Sequence, residues 1–264
     1  MIGIIQGRLS QDRRKKRLQY LPNNFEKEFK VASKLGFNYI ELITDEINDQ
    51  KNPIWNKNKI KKYKKTILNN KLILYSFLDN YPINNDIREI KSKRYYKKLI
   101  KKISFLKVKY LILPFYSKSL MTNLNLETYL DFINYIIKQL KTNKIELLIE
   151  TDISAKSILI LQKKLSQTLN IVYDTGNRFF IDKNSKYELL KLKNNIKHVH
   201  MKDKNRDKKN TKLGNGVVNF KDLFKIFKTI KYKGSYTFET VRGKNSINTA
   251  IHNLDFISKL FKYF

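Results

Sequence analysis

The chain reads as an α/β protein, a single-domain (β/α)8 TIM barrel over residues 1–264, on three grounds. Eight short β-branched runs alternate with eight segments of helical period, and strict alternation favours a parallel sheet. The repeat averages about 33 residues, and a closed barrel of eight such units takes about 250. The first strand-to-helix turn, Gln6-Gly7-Arg8-Leu9-Ser10, lacks the glycine-rich fingerprint of the rival architecture, an open doubly wound sheet.

Taken along the chain, strand Ile2–Gln6 precedes helix Phe25–Leu35, and Tyr39–Ile43 precedes Lys57–Asn69. Leu72–Phe77 leads to Ser92–Leu106, Tyr110–Leu113 to Leu126–Lys141, and Ile145–Glu150 to Ala155–Leu165. Leu169–Asp174 is followed by Lys186–Lys193, Ile196–His200 by Phe220–Thr229, and Ser235–Glu239 by Asn245–Phe261. The strands are runs of β-branched and aromatic residues, and the helices repeat apolar positions every three or four. Gly36 and Gly234 stand where a helix should stop before a strand. Pro82 and Pro114 fall just after strands, where the ladder need not continue. Gly214-Asn215-Gly216 is a lone GxG and reads as a turn.

Composition bounds the function. The absence of cysteine excludes a disulfide scaffold, a thiolate zinc site and a cysteine nucleophile. No apolar run approaches the roughly 20 residues of a membrane span, and Met1 to Ile5 has no basic leader, so a cytoplasmic, non-membrane protein is expected. The net charge of +32 suggests a polyanion partner. Against that, the basic residues are 46 Lys and only nine Arg, whereas phosphate-reading surfaces favour the bidentate guanidinium. Lys, Asn, Ile, Tyr and Phe are inflated together, as AT-rich coding produces. The lysines also scatter over polar helix faces, as in Ile60-Lys61-Lys62-Tyr63-Lys64-Lys65. Composition bias therefore accounts for the charge better than selection for nucleic acid.

In a (β/α)8 barrel the reacting groups lie at the carboxyl ends of the strands. The fifth to eighth strands end in Glu150, Asp174, His200 and Glu239, each preceded by apolar residues and separated by 24, 26 and 39 residues. Three carboxylates converging at a barrel mouth repel one another and raise each other's pKa. A divalent cation removes that cost. The donor set calls for one such ion, manganese first, with magnesium, cobalt or zinc as alternatives. A metal that chelates a carbonyl and its neighbouring hydroxyl stabilises the enediolate formed when the adjacent C–H is deprotonated. Glu150 and Glu239 are the candidate acid/base pair, and Asp174 and His200 mainly ligands.

Set in context, these residues resemble the xylose isomerase-like superfamily of sugar and sugar-phosphate isomerases and epimerases. The stretches carrying the resemblance are Gly3 to Ser10, Tyr39-Ile40-Glu41-Leu42, Ile149-Glu150-Thr151, Tyr173-Asp174-Thr175-Gly176-Asn177, His198-Val199-His200-Met201-Lys202-Asp203, Leu213-Gly214-Asn215-Gly216 and Phe238-Glu239-Thr240. The resemblance is to the ketose 3-epimerases in particular. It implies that Glu150, Asp174, His200 and Glu239 bind one divalent metal and that the two glutamates move the protons. It further implies that Arg206 contacts substrate oxygen and that Gln6, Arg8 and Glu41 line the pocket. Asn177 stands where the family often has a substrate-touching histidine, and it can hydrogen-bond a hydroxyl but cannot carry charge. The expected partner is a small sugar or sugar phosphate, with a homo-oligomer possible.

Alternatives remain. An inosose-type dehydratase would use the same scaffold and expel a β-hydroxyl. Arg8, Lys202, Lys204, Arg206 and Arg242 lie just beyond strand ends, where they either hold a phosphate or carboxylate or are exposed charge. The strip from Arg13 to Arg17 is a solvated loop or a lid over the mouth. The superfamily's apurinic endonucleases use a three-zinc cluster rich in histidine, which three histidines cannot supply. His198 reads as a packed residue one barrel layer below His200, and His252 as structural. A non-catalytic polyanion-binding module gives no reason for four converging ligands.

Overall fold

A computed structural model describes residues 1–11, 19–45, 51–165, 167–181 and 184–261. The strip from Arg13 to Arg17 lies outside the described residues. Eight parallel strands close into a barrel, so the fold is a single (β/α)8 TIM barrel. They are β1 (Ile2–Ile5), β2 (Tyr39–Ile43), β3 (Ser76–Leu78), β4 (Tyr110–Pro114), β5 (Glu146–Glu150), β6 (Asn170–Asp174), β7 (Ile196–Met201) and, closing on β1, β10 (Ser235–Phe238). Between β7 and β10 a two-stranded ribbon, β8 (Asp203–Lys204) and β9 (Asn210–Thr211), stands apart from the barrel.

The outer layer is α1 (Phe25–Lys34), α2 (Lys57–Asn69), α4 (Ile90–Leu106), α5 (Leu130–Lys141), α6 (Ala155–Lys164), α8 (Ser185–Leu192), α9 (Phe220–Thr229) and α10 (Ser246–Phe261). Short helices α3 (Tyr81–Asn84) and α7 (Thr175–Arg178) sit on the loops after β3 and β6. Asparagine and serine caps start several of these helices. Asn56 accepts from the Asn58 and Lys59 amides, Ser154 from Ser157, and Asn219 from Asp222.

Local differences from the sequence reading have physical causes. The third strand begins at Ser76 rather than Leu72, although Leu72 and Tyr75 are buried, because the approach to the ladder is irregular. Residues 126–129 form a 3-10 turn before α5 rather than its first turn. Pro114 is the last residue of β4 rather than the first beyond it. Gly36 ends α1 in the left-handed region at φ +84°, as expected of a C-terminal glycine. Gly234 does not play that part. The left-handed residue after α9 is Lys231 (φ 52°), and Lys71, Lys107 and Lys144 do the same after α2, α4 and α5. Gly234 instead permits close approach, since a Cβ there would lie 2.5 Å from the Lys197 carbonyl oxygen.

One apolar layer fills the space between barrel and helices, and a second fills the barrel, from Tyr39, Tyr75 and Tyr110 to Ile112, Leu148 and Val172. Among the described residues no helix is long and apolar enough to cross a membrane. Side chains alternate across a strand, so residues that share parity with the barrel filling also point inward. Glu41 follows Tyr39, Glu150 follows Leu148, and Asp174 follows Val172 by that rule. The register sets Asp174 beside His200, and His200 beside Thr237.

Candidate metal centre

Glu150, Asp174, His200 and Glu239 each place a ligand atom within 4.8 Å of the others, and all four are buried. Four strands that are distant in sequence therefore converge on one point. Asp174 divides its carboxylate. Oδ1 caps α7 by accepting from the Gly176 and Asn177 amides at 2.9 and 2.8 Å, while Oδ2 faces the cluster. His200 is oriented from behind, where its Nε2–H is donated to Glu41 Oε1 at 2.9 Å. That bond leaves Nδ1 directed at Glu239 Oε2 (2.9 Å) and Glu150 Oε2 (3.5 Å). Asp174 Oδ2, His200 Nδ1 and Glu239 Oε2 are buried without a hydrogen bond of proper geometry.

These residues fit a divalent ion: hard oxygen donors, one imidazole held in a single orientation by a carboxylate, and lone pairs facing a common centre. The other histidine-bearing group, Glu41, His198 and His200, does not fit. Both oxygens of Glu41 are taken, Oε1 by His200, and Oε2 by His198 (2.9 Å) and the Ser76 hydroxyl (2.6 Å). His198 Nδ1 lies 2.7 Å from Ser235 Oγ and its Nε2 2.9 Å from Thr237 Oγ1, with Tyr39, Tyr75 and Tyr110 around the ring. His198 is thus a packed residue below His200, and burial lowers its pKa and keeps it neutral.

The charges are strongly coupled. Burial, opposed by His200 and reinforced by Glu239, pushes the Glu150 carboxyl up to about 7. Glu239 is buried as deeply, but Lys202 and His200 outweigh burial and hold it below the usual carboxylate range. Burial acts against a charged His200, yet Glu41 and Glu150 outweigh it and raise its pKa, so without a metal Nδ1 carries a proton. Burial likewise works against Glu41, which the two imidazoles bring down to about 2.

The remaining expected residues are placed unevenly. Arg8 is buried and donates to Gln19 Oε1 at 3.1 Å, and Gln19 in turn donates to Glu239 Oε1 at 2.9 Å. Burial, with Arg242 nearby, lowers the Arg8 pKa to about 9. Gln6 is buried but its carbonyl accepts from the Tyr63 hydroxyl of α2 at 2.8 Å. Glu41 lies behind His200 rather than at the free surface of the cluster. Asn177 donates to the Tyr116 hydroxyl at 3.3 Å. Arg206 is exposed at the turn of the β8–β9 ribbon. His252 lies in α10 with Nε2 3.4 Å from the Leu213 carbonyl, in keeping with a structural role.

Exposed charge is the wrong description of Lys202. It is 4% exposed, and its Nζ lies 2.6 Å from Asp174 Oδ2 and 3.0 Å from Glu239 Oε1. Its parity with His198 and His200 on β7 was the available signal. Gln19, Tyr116 and Asp152 are further polar residues near the cluster that strand ends alone do not reveal. The Tyr116 hydroxyl is 3.5 Å from Glu150 Oε1 and donates to Asp152 Oδ1 at 3.0 Å. Asp203 shapes the rim by accepting from the amides of Lys204, Gly214, Gly216 and Val218 at 2.9 to 3.2 Å. The Gly214-Asn215-Gly216 turn is wrapped around that carboxylate.

A family model described as a xylose isomerase-like TIM barrel matches residues 29–260. No curated protein matches the sequence. Solved structures are similar over nearly the whole chain. The D-psicose 3-epimerase of Clostridium cellulolyticum H10 with D-tagatose is 15% identical, with 98% of each chain covered and a TM-score of 0.79. The probable 3-DHS dehydratase AsbF of Bacillus anthracis is 13% identical, with 97% of this chain and 98% of that one covered and a TM-score of 0.74. The IolI protein with a bound zinc atom is 12% identical, with 100% and 99% covered and a TM-score of 0.76. At such identities the likeness bears on the fold alone.

Proposed function

The chain belongs to the xylose isomerase-like TIM barrel family, and on that premise we propose that it is a metal-dependent isomerase or epimerase of a small sugar or sugar phosphate. The observation that carries the reading is that two glutamates, Glu150 and Glu239, belong to one buried four-residue ligand set with Asp174 and His200. Two carboxylates in one ligand set can serve as an acid/base pair on a substrate held between them.

Glu150, Asp174, His200 and Glu239 would hold the ion, manganese first among the divalent candidates. When bound, it would supply a Lewis acid for negative charge building on the carbonyl oxygen of a substrate. One of the two glutamates, Glu150 and Glu239, would remove the proton beside that carbonyl, and the other would deliver one to the opposite face or to the neighbouring carbon. The first outcome inverts a stereocentre and the second interconverts aldose and ketose. Glu41 keeps the His200 imidazole turned. Asn177 and the Tyr116 hydroxyl present hydrogen-bonding groups suited to sugar hydroxyls, and Arg8 supports Glu239 through Gln19.

The test is incubation of the manganese-loaded protein with ketoses, ketose phosphates and inososes in D₂O. Exchange of a carbon-bound proton with an epimeric or isomeric product supports the reading. Exchange accompanied by water loss assigns a dehydratase instead. No exchange across the panel overturns both.

A further inference from the structure

The Lys202 ammonium lies among the candidate ligands. It bridges Asp174 Oδ2 and Glu239 Oε1, and both residues belong to the candidate ligand set. The position is built rather than incidental. The Thr175 hydroxyl donates to the Lys202 carbonyl at 2.6 Å and accepts from the Lys202 amide at 2.9 Å, fixing the backbone on both sides of the Cα. Gly176 clears the stem, since a Cβ there would meet Lys202 Cγ at 2.9 Å and the Lys202 carbonyl oxygen at 3.2 Å. Asp174, Thr175 and Gly176 therefore each serve Lys202: the first as ion-pair partner, the second as clamp and the third as empty space.

We infer that Lys202 is an internal counter-cation, which holds the carboxylates of the metal-free site together and must leave them for a divalent ion to bind. Asp174 Oδ2, the oxygen that faces the cluster, is the one the ammonium holds, and two cations at contact distance from it repel each other. Lysine suits the exchange, because its charge sits at the end of a flexible four-carbon stem and can swing towards the mouth while the clamped backbone stays in place. The metal then binds only to the fraction of molecules from which the ammonium has withdrawn, so the lysine weakens apparent affinity by that fraction. Lys202 is thus a positioning residue that acts on the ligands. The inference rests on the metal reading of the site given above.

The test compares wild type with Lys202→Met, both purified with manganese and then stripped by a chelator. Calorimetric titration with Mn²⁺ should show the variant binding about tenfold tighter or better, the competing ammonium being gone. Stripped of metal, the variant should melt about 5 °C or more below wild type, because Asp174 and Glu239 lose the ammonium between them. With saturating manganese that deficit should vanish or reverse. Equal melting deficits with and without metal, or unchanged or weaker affinity, overturn the inference, as does a variant that folds in neither condition, since each describes plain packing. If wild type binds no manganese but the variant does, the counter-cation stands and the metal reading of the native chain falls. If neither binds, both fall.

Discussion

Glu41 and His200, 159 residues apart, meet at 2.9 Å at the centre of the barrel, where the carboxylate accepts the Nε2–H of the imidazole. The bond selects which nitrogen faces Glu150, Asp174 and Glu239. Outer carboxylates of this kind typically change metal affinity by about 10- to 100-fold when removed. Glu41→Gln should weaken Mn²⁺ binding by that amount in calorimetric titration, because the amide offers one acceptor to two imidazole N–H groups. Unaltered affinity would mean that packing alone orients His200.

Glu150→Gln preserves the shape of the side chain and removes its proton chemistry. The variant should fold as wild type by circular dichroism. On whichever substrate shows D₂O exchange, turnover should fall by at least about 100-fold, the range of general acid–base effects. Near-normal turnover would take Glu150 out of the reaction.

Metal binding should release protons. Burial pushes Glu150 up to about 7, and the carboxylates hold a proton on His200 Nδ1 in the metal-free protein. Both must be deprotonated to act as ligands. Apparent Mn²⁺ affinity should therefore rise with pH through neutrality, more steeply below about 7, where Glu150 also holds a proton, than above it, where His200 alone does, with about one to two protons released per ion near neutrality. Titrations in buffers of different ionisation enthalpy measure the count. A pH-independent affinity between pH 5.5 and 8 would contradict the assignment.

Asp203 gathers four backbone amides, those of Lys204, Gly214, Gly216 and Val218. Asp203→Ala should cost about 3 kcal/mol in urea unfolding. It should also expose the segment from Lys204 to Val218 to limited proteolysis well below the global transition, because the turn around Gly214 loses its organising acceptor.

Lys107 ends α4 at φ 61° and ψ 39°, a conformation that costs a residue with a Cβ about 1 kcal/mol or more relative to glycine. Lys107→Gly should therefore stabilise the protein by about 1 kcal/mol, read as a higher urea midpoint. Lys107→Val should destabilise it. A loss of stability in the glycine variant would show that the lysine side chain contributes more than its backbone geometry costs.

The strand-and-helix alternation and the four ligand candidates were legible in the sequence because both are local signals. A β-branched run ending in a single polar residue marks a strand and its carboxyl end without reference to anything distant. The same logic placed His198 one layer below His200, since parity along β7 alone decides it. The helix ends were less legible, because four of them turn on lysine rather than glycine and only the backbone reveals that. What the tertiary structure decided is which inward residues meet across the barrel. Parity tells that Glu41 and Lys202 point inward, but the closure and stagger of eight strands decide that one braces an imidazole from behind and the other bridges two carboxylates from the front. That outcome depends on three-dimensional reach between residues far apart in the chain, and no local pattern carries it.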